Sequence, residues 1–585
     1  MKFSHEELKK CLGKDQPENV IKLNETDFWI IEAKRNHNLL QTALDEAEDY
    51  AQKINQSQSI KAKIVSGVAG NEYDGYMTKT KFCYYDNNFK PITMNGKEVS
   101  GLLQKTVAER ILRENKPNLE DVPIDKSLFI SKAEKINEIL HLGAINKKYK
   151  ATVMASLLLS LIDDTPPNRN SAVSVLIDEI NIRARRILKK HEKGNFADFI
   201  KISLPPTEDN YKKFRNALVL TLQELDSLNI RSAMNSGTDV LGEFYEVFLK
   251  YGNDAKEIGI VLTPRHITNF AAEVLNVNTQ DIVYDPTCGT GGFLVAALDH
   301  IRKNFSHKEV ERFKQNNLIG IDQDPDVLAL AFVNMIFRGD GKTHIIEGNC
   351  FHKYLNSISK NGIATAEFVD NDYQDRIPPV TKVLMNPPFA LKRSDEKEYR
   401  FIDSALKQMR DGGILFSVLA YSTMVKPREF LPWRKQLLKN NSLLSIITFP
   451  EDLFYPIGVV TVGLFIRKGI PHPNEQNVLW IRALNDGLRK SKGKRLPNNK
   501  VPNNLKEIKE LLKSFLVSPS SNIQNINKFQ KACPIDFSDK LLELVPENYL
   551  DEEPPQMEEI AAGVEQLIRD TAAYFVKTKR EEIGT

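Results

Sequence analysis

Three short stretches of this sequence combine residue types at spacings that can do chemistry. The first runs Asp281-Ile-Val-Tyr-Asp-Pro-Thr-Cys-Gly-Thr-Gly-Gly-Phe-Leu294: an apolar strand, a loop holding Gly289, Gly291 and Gly292, and a helix start. Glycines let a backbone approach a ligand closely, and the free N–H groups of a helix start face it. Further on, Leu318-Ile-Gly-Ile-Asp322 ends a second strand in a carboxylate suited to both hydroxyls of a ribose. The spacing is not GxGxxG and no GKT or GKS follows in this loop, which excludes a P-loop here and favours an adenosine-containing cofactor. The second stretch is Asn386-Pro387-Pro388-Phe389, directly after an apolar run over 383–385. Its prolines fix the backbone and remove two N–H donors, so acceptors remain. The Asn386 side-chain oxygen and the Pro387 carbonyl can both accept from one exocyclic amino group, and Phe389 offers a face to a planar base. Accepting both amine hydrogens turns the nitrogen lone pair toward an electrophile, the geometry of methyl transfer to nitrogen. The third stretch pairs Glu18 of Pro17-Glu18 with Glu32-Ala-Lys34, with Asp27 as a rival first acid. Two carboxylates on adjacent strands would hold a divalent cation, and the lysine would lie near an attacking water or a scissile phosphate.

The elements that must position these residues are readable from periodicity. The first hundred residues predict a small α/β unit: a helix over 6–12, strands over 19–23 and 28–33, a helix over 39–54, and strands over 61–68, 76–85 and 89–93. Leu39, Leu40, Ala43, Leu44, Ala47 and Ala51 place one apolar stripe on the second helix. Helices follow over 152–162, 172–188 and 211–225, separated by Pro-rich breaks. From about 239 to 468, short β-rich runs at 282–284, 318–321, 343–346, 383–385, 413–419, 445–449 and 460–465 alternate with helical stretches. That rhythm predicts a doubly wound parallel sheet. The remainder reads as charged and mostly helical, with a basic loop at Arg489, Lys490, Lys492, Lys494 and Arg495.

Composition bounds the class. The chain has 585 residues, 80 basic against 77 acidic, and a net charge of +3, so it lacks the overall excess of a non-specific nucleic-acid binder. Five cysteines without a CxxC pair disfavour a disulfide framework and a cysteine zinc site, and point to a reducing cytoplasm. The apolar runs at 151–162 and 413–419 fall short of the ~20 residues that cross a bilayer, so no membrane association is expected.

Asp285-Pro-Thr-Cys-Gly-Thr-Gly-Gly and Asn386-Pro-Pro-Phe resemble motifs I and IV of the gamma-order N6-adenine DNA methyltransferases, and the chain is most similar to modification subunits of type I and type IIB restriction-modification systems. The resemblance implies an S-adenosyl-L-methionine-dependent methyltransferase of α/β class with a doubly wound sheet, preceded by a helical domain. It implies cofactor binding by Asp285, Pro286, Thr287, Gly289, Gly291, Gly292, Phe293 and Asp322. Leu262-Thr263-Pro264 resembles motif X, which closes over the methionine part, and 239–246 resembles the family's lead-in. Asn349 stands where the family has an aspartate that contacts the cofactor adenine. Residues 449–450, Phe454 and Thr461 resemble the base-pocket region. Catalysis would fall to Asn386, Pro387, Pro388 and Phe389, acting on an adenine flipped from double-stranded DNA.

Ile31-Glu-Ala-Lys-Arg35 resembles the PD-(D/E)xK nuclease core, which implies Mg2+ at Glu18 and Glu32, catalysis by both acids and Lys34, and a helix carrying Glu46 and Tyr50 where relatives have QxxxY. The expected organisation is a nuclease-like domain at 1–105, a helical domain at 106–235, a methyltransferase domain at 236–470 and a helical tail at 471–585. The residues after Phe465 are too few for two target-recognition domains. A separate specificity subunit is therefore expected as partner in a hetero-oligomer, with a helix over 557–577 as docking element. Three readings stand open: a bifunctional restriction-modification subunit, a methyltransferase with an inactive nuclease-like domain, and a protein-glutamine or RNA methyltransferase.

Overall fold

The structure, a computed structural model, describes residues 6–71, 75–84, 87–94, 97–119, 126–146, 149–163, 165–228, 262–341, 343–360, 363–370, 375–389, 396–455, 458–491, 494–519 and 528–550, with isolated positions at 244, 248 and from 557 to 571. The chain divides into two compact units, Met1–Ser417 and Val418–Thr585. The expected lead-in at 239–246 lies outside the described residues apart from Phe244, and most of the expected helix over 557–577 does too.

The first unit begins with a helix at Glu6–Leu12 and strands β1 (Asn19–Lys22) and β2 (Asp27–Lys34). The helix Leu40–Asn55 then leads to β3 (Lys61–Asn71), β4 (Gly75–Cys83) and β5 (Phe89–Pro91). These form one five-stranded sheet in chain order, with β2 and β3 parallel across the intervening helix. Strand side chains alternate between faces. Phe28 and Ile30 therefore meet Leu44, Ala47, Ala51 and Ile54 of the helix, while Trp29 and Ile31 pack with Phe82 and Ile92 on the other side. The helix buries the predicted stripe from Leu40 onward, while Leu39 caps the helix and is exposed. By the same alternation Glu32 and Lys34 share the helix-side face.

Three short strands follow: β6 (Thr93–Met94), β7 (Lys97–Glu98) and β8 (Asn118–Leu119). The helices Lys126–Leu142, Lys150–Ile162, Val173–Lys190 and Tyr211–Ser227 then pack together. Glu224 draws in both Lys132 and Lys135. The basic run of the third helix is paired within the fold: Arg183 with Glu179 at 3.0 Å, Arg186 with Asp163 at 2.9 Å and Arg185 with Asp198 at 2.5 Å.

The predicted doubly wound sheet is present. Strands β9 (Val283–Asp285), β10 (Leu318–Asp322), β11 (His344–Glu347), β14 (Val380–Met385) and β15 (Met409–Ala420) lie in the order β11-β10-β9-β14-β15. The pairs among them are parallel. Helices Gly292–Asn304 and Pro325–Phe337 supply crossovers between them. The strand order reverses at β9, so the β9–β14 gap is the switch point where such sheets bind ligands. An antiparallel hairpin of β12 (Tyr354–Lys360) and β13 (Ile363–Val369) stands outside this sheet and was not foreseen.

The second unit holds β16 (Ser442–Thr448), β17 (Thr461–Arg467), β18 (Val478–Arg482), a hairpin of β19 (Leu488–Ser491) and β20 (Lys494–Pro497), a helix at Asn504–Val517, and β21 (Gln530–Cys533). The sheet order is β17-β16-β18-β21. A mostly helical tail from 471 is therefore not what forms: β18 and β21 extend the sheet well past the expected boundary. Leu479 and Ile481 are as apolar as any core strand, and Trp480 stacks on Tyr549 at 3.7 Å. The buried Arg434 ties the unit together, donating to the carbonyls of Thr423, Lys426, Leu541 and Leu542, each at 2.9 Å. Among the described residues no helix is long and apolar enough to cross a membrane.

His472 is buried beside Phe537, and neither ring nitrogen has a hydrogen-bond partner among the described residues. Burial pushes its pKa down to about 4 from the ordinary 6.5. The unfolded chain takes up this proton below about pH 6.5 and the folded one only near pH 4, so the stability present above 6.5 is lost as pH falls through that window. Going from pH 7 to pH 5 should cost about 2 kcal/mol through this group. His472→Phe should show a smaller fall in melting temperature over that range, and an unchanged fall would contradict the assignment.

Candidate active site

The parallel register sets the geometry. Gly320 lies opposite Asp285, and Val383 lies opposite Tyr284. Carried on in register, Thr287 falls between Asp322 on one side and Asn386 on the other. Neighbouring strands are ~4.8 Å apart, so the backbones of Asp322 and Asn386 are separated by about 10 Å with the glycine loop between them.

Within that loop Gly289 and Gly291 have φ of +53° and +82°, which L side chains rarely adopt, and Gly291 caps the helix Gly292–Asn304. A side chain at Gly289 would meet only the Thr287 carbonyl, at 4.0 Å, so the loop faces open space. The Gly289 N–H donates to Asp322 Oδ2 at 2.9 Å and the Asp324 N–H to Oδ1 at 3.1 Å. Asp322 thus braces the loop, a task its sequence did not announce, and its remaining lone pairs stay available. Burial raises its pKa. Asp285 is 1% exposed, accepts from the Thr287 N–H at 3.1 Å, and is pushed well above the usual carboxylate range, first by burial. Pro286 is buried in the same turn. Phe293, expected to touch the cofactor, instead packs its ring 6.0 Å from Phe416 in the core, because it lies on the inner face of the helix. The Asn349 side-chain oxygen accepts from the Phe351 N–H at 2.9 Å, closing the turn after β11.

Asn386 stands half-buried at the end of β14, followed by buried Pro387, exposed Pro388 and half-buried Phe389. Its Nδ2 donates to Thr263 Oγ1 at 3.0 Å. Its Oδ1 is buried and has no partner among the described residues. In this arrangement Thr263 takes the donor end of the amide, and the acceptor end is the one left unmatched. Leaving a buried acceptor unmatched costs about 1–3 kcal/mol, which makes it a mark of a site built for a donor. Thr263 immediately precedes Pro264, the cap residue of the helix Arg265–Val274. The expected base-pocket residues Phe449 and Phe454 are buried in the second unit, and the Phe449 N–H donates to the Thr461 carbonyl at 3.0 Å.

At the N-terminus the structure brings the Glu18 backbone and Lys34 to the Glu32 side chain, and Glu46 to Lys34. The Glu18 N–H donates to Glu32 Oε2 at 3.2 Å, and Lys34 Nζ lies 3.4 Å from Glu32 and 2.6 Å from Glu46. Glu32 is 6% exposed and Glu18 is exposed. Burial raises the Glu32 pKa, against the Glu18 N–H and the Lys34 charge. The Glu46 hydrogen bond raises that of Lys34 and keeps it protonated. Asp27 is removed as a rival: it starts β2, about 17 Å from Glu32 along the strand, and accepts from the Asn24 side chain. Glu46 was legible only as a helix position; its partnership with Lys34 follows from the fold. No group of three or more His, Cys, Asp or Glu among the described residues is placed to hold a metal. Mg2+ takes one or two carboxylates with water and phosphate oxygens, so Glu18 and Glu32 suit it in donor type.

A family model described as N-6 DNA Methylase matches residues 236–553. The type II restriction enzyme and methyltransferase RM.BcgI of Heyndrickxia coagulans is 30% identical over 499 residues, covering 78% of this chain and 74% of its own. The type I restriction enzyme MjaIX methylase subunit of Methanocaldococcus jannaschii is 28% identical over 304 residues, covering 51% of this chain and 53% of its own. The chain thus spans about half of that relative. A solved structure of a type I restriction-modification system superposes with a TM-score of 0.52 at 17% identity, over 78% of this chain and 98% of that one, which is a likeness of fold.

The loop geometry predicts a contrast between neighbours. Gly291→Ala forces a left-handed backbone and should destabilise the protein by about 1–2 kcal/mol. Gly292→Ala, whose new methyl meets only Thr268 Cγ2 at 3.8 Å, should leave the melting temperature unchanged. Equal melting temperatures for the two variants would contradict the loop conformation.

Proposed function

Because this chain belongs to the N-6 DNA methylase family, we propose that it is the bifunctional modification and cleavage subunit of a restriction-modification system, methylating adenine N6 in double-stranded DNA with S-adenosyl-L-methionine and cutting DNA with Mg2+. The observation that carries the methyltransferase reading is the unmatched Asn386 oxygen, on an amide held by Thr263 through its nitrogen, at the switch point of the sheet. The motif order, glycine loop before Asn386, supports the gamma-order subclass. Sequence specificity comes from a separate subunit in a hetero-oligomer, consistent with the likeness to a type I methylase subunit. Five free cysteines suit a cytoplasmic enzyme.

S-adenosyl-L-methionine, when bound, supplies a methyl group on positively charged sulfur. The open glycine loop of Gly289, Gly291 and Gly292 admits it, beside Asp285, Pro286 and Thr287. Asp322 accepts from its ribose hydroxyls, and Thr263, Pro264 and Asn349 border it. Asn386 Oδ1 and the Pro387 carbonyl accept the two N6 hydrogens of a flipped adenine, while Pro388 stiffens the loop and Phe389 stacks on the base. Fixed acceptors of this kind need no reorganisation as the amine becomes a nucleophile. In the N-terminal sheet, Glu18 and Glu32 would hold Mg2+, which supplies charge to polarise a scissile phosphate. Lys34, held protonated between Glu32 and Glu46, places a positive charge at the same spot.

With the specificity partner, plasmid and cofactor, Asn386→Ala should lower methyl transfer roughly a hundredfold or more with cofactor binding little changed. Thr263→Val, acting through Asn386, should lower kcat about tenfold with little effect on KM, and Thr263→Ser should restore it. Loss of cofactor binding in Asn386→Ala would contradict its role. In the same reaction with Mg2+, Glu32→Gln and Lys34→Ala should abolish cleavage and leave methylation intact. Cleavage unchanged in those variants, or absent from the wild type, would leave the methyltransferase-only reading.

A further inference from the structure

The basic loop read from the sequence becomes a cavity in the second unit. The hairpin β19–β20 places Lys490 opposite Arg495. Arg495 is buried and forms a two-pronged ion pair with Asp486, at 2.8 and 2.7 Å, and a third contact with Asp452 at 2.9 Å. This brace pins the hairpin to the loop after β16. Asp486 is 2% exposed and neutralised by Arg495, and Asp452 is shared between Arg495 and Lys490 at 4.0 Å. The space enclosed is ≈ 400 Å³, and Arg489, Lys490 and Lys500 line it with Asp452 and Arg495. Arg489 and Lys500 have no anionic partner among the described residues. Lys490 Nζ sits 5.1 Å from the centre of the Tyr455 ring, which is 40% exposed.

One positive charge is thus buried to build the cavity, and three more are left facing it. Two of them, Arg489 and Lys500, are unneutralised among the described residues, and like charges around one concavity repel each other unless an anion joins them. The cavity is of a size that holds a nucleotide-scale group. An exposed aromatic ring at its edge, already under a cation, is the kind of mixed basic and aromatic surface that tracks a nucleic-acid strand.

We propose that this cavity takes phosphodiester groups of a nucleic-acid backbone, with Arg489 and Lys500 as phosphate contacts and Lys490 poised between phosphate and Tyr455. The inference rests on the reading above for the polymer, duplex DNA, and adds which part of the second unit grips it. Arg495, the most obvious cation of the run, is assigned to the brace instead.

The test is the salt dependence of duplex DNA binding by the full chain with its specificity partner, followed by fluorescence anisotropy. Arg489→Gln with Lys500→Gln should flatten the slope of log K against log salt by roughly 1 to 2, at about 0.9 per phosphate lost, and weaken binding about tenfold near 0.1 M salt. Lys439→Gln with Lys506→Gln removes the same charge from exposed sites elsewhere in the unit and should keep the wild-type slope. Equal slopes for the two double variants, or a wild type that binds no DNA, would overturn the proposal. A cavity variant that loses binding of inorganic pyrophosphate while keeping the wild-type DNA slope would overturn it in favour of a free anion. If the slope changes as expected but the wild type transfers no methyl group to DNA, the cavity assignment holds and the methyltransferase reading fails.

Discussion

Everything at the candidate active site depends on three neighbouring parallel strands ending at one level. β10, β9 and β14 deliver Asp322, the glycine loop and Asn386 side by side because the backbone ladder leaves each strand no freedom to slip. The runs Leu318–Asp322 and Val380–Met385 are covered on both faces, and close packing there holds the register. The sheet core is therefore the precision element of the site. The loops contribute chemistry only because their roots are fixed.

On that frame the site is assembled from deliberate mismatches. Asn386 is pinned by one end to Thr263 and left hungry at the other. Asp285 and Asp322 are buried carboxyls whose ionisation the fold resists, held in place by backbone N–H groups of the loop they support. In the N-terminal sheet Glu32 is likewise buried against its preference, with Lys34 shared between it and Glu46. Each such group is a small loss of stability that partners of complementary chemistry recover.

Much of this was legible in the sequence. The stripe from Leu40 to Ile54 and the apolar runs ending at Asp322 and Met385 announce their elements, because burial on one or both faces leaves a period that chain order preserves. What stayed hidden are relations between distant residues. Nothing near Thr263 says that its hydroxyl receives Asn386, and nothing in Glu46 says that it takes the greater share of Lys34. Phe293 reads as part of a binding motif, yet helix geometry turns it into the core. Arg495 reads as one more cation of a basic run, yet a buried aspartate claims it. The strand Val478–Arg482 was missed because charged neighbours masked a short apolar run.

The near balance of basic and acidic residues now has a structural counterpart: several basic runs are neutralised within the fold, and the chemistry sits in pockets rather than on a broad positive face. One reaction product decides whether the chain methylates adenine in duplex DNA. Duplex DNA incubated with the chain, its specificity partner and S-adenosyl-L-methionine carrying a deuterated methyl group can be digested to nucleosides and weighed. The label should appear in N6-methyladenine of the DNA. Label in cytosine, in RNA or in protein glutamine, with none on adenine of the duplex, would contradict adenine methylation of DNA.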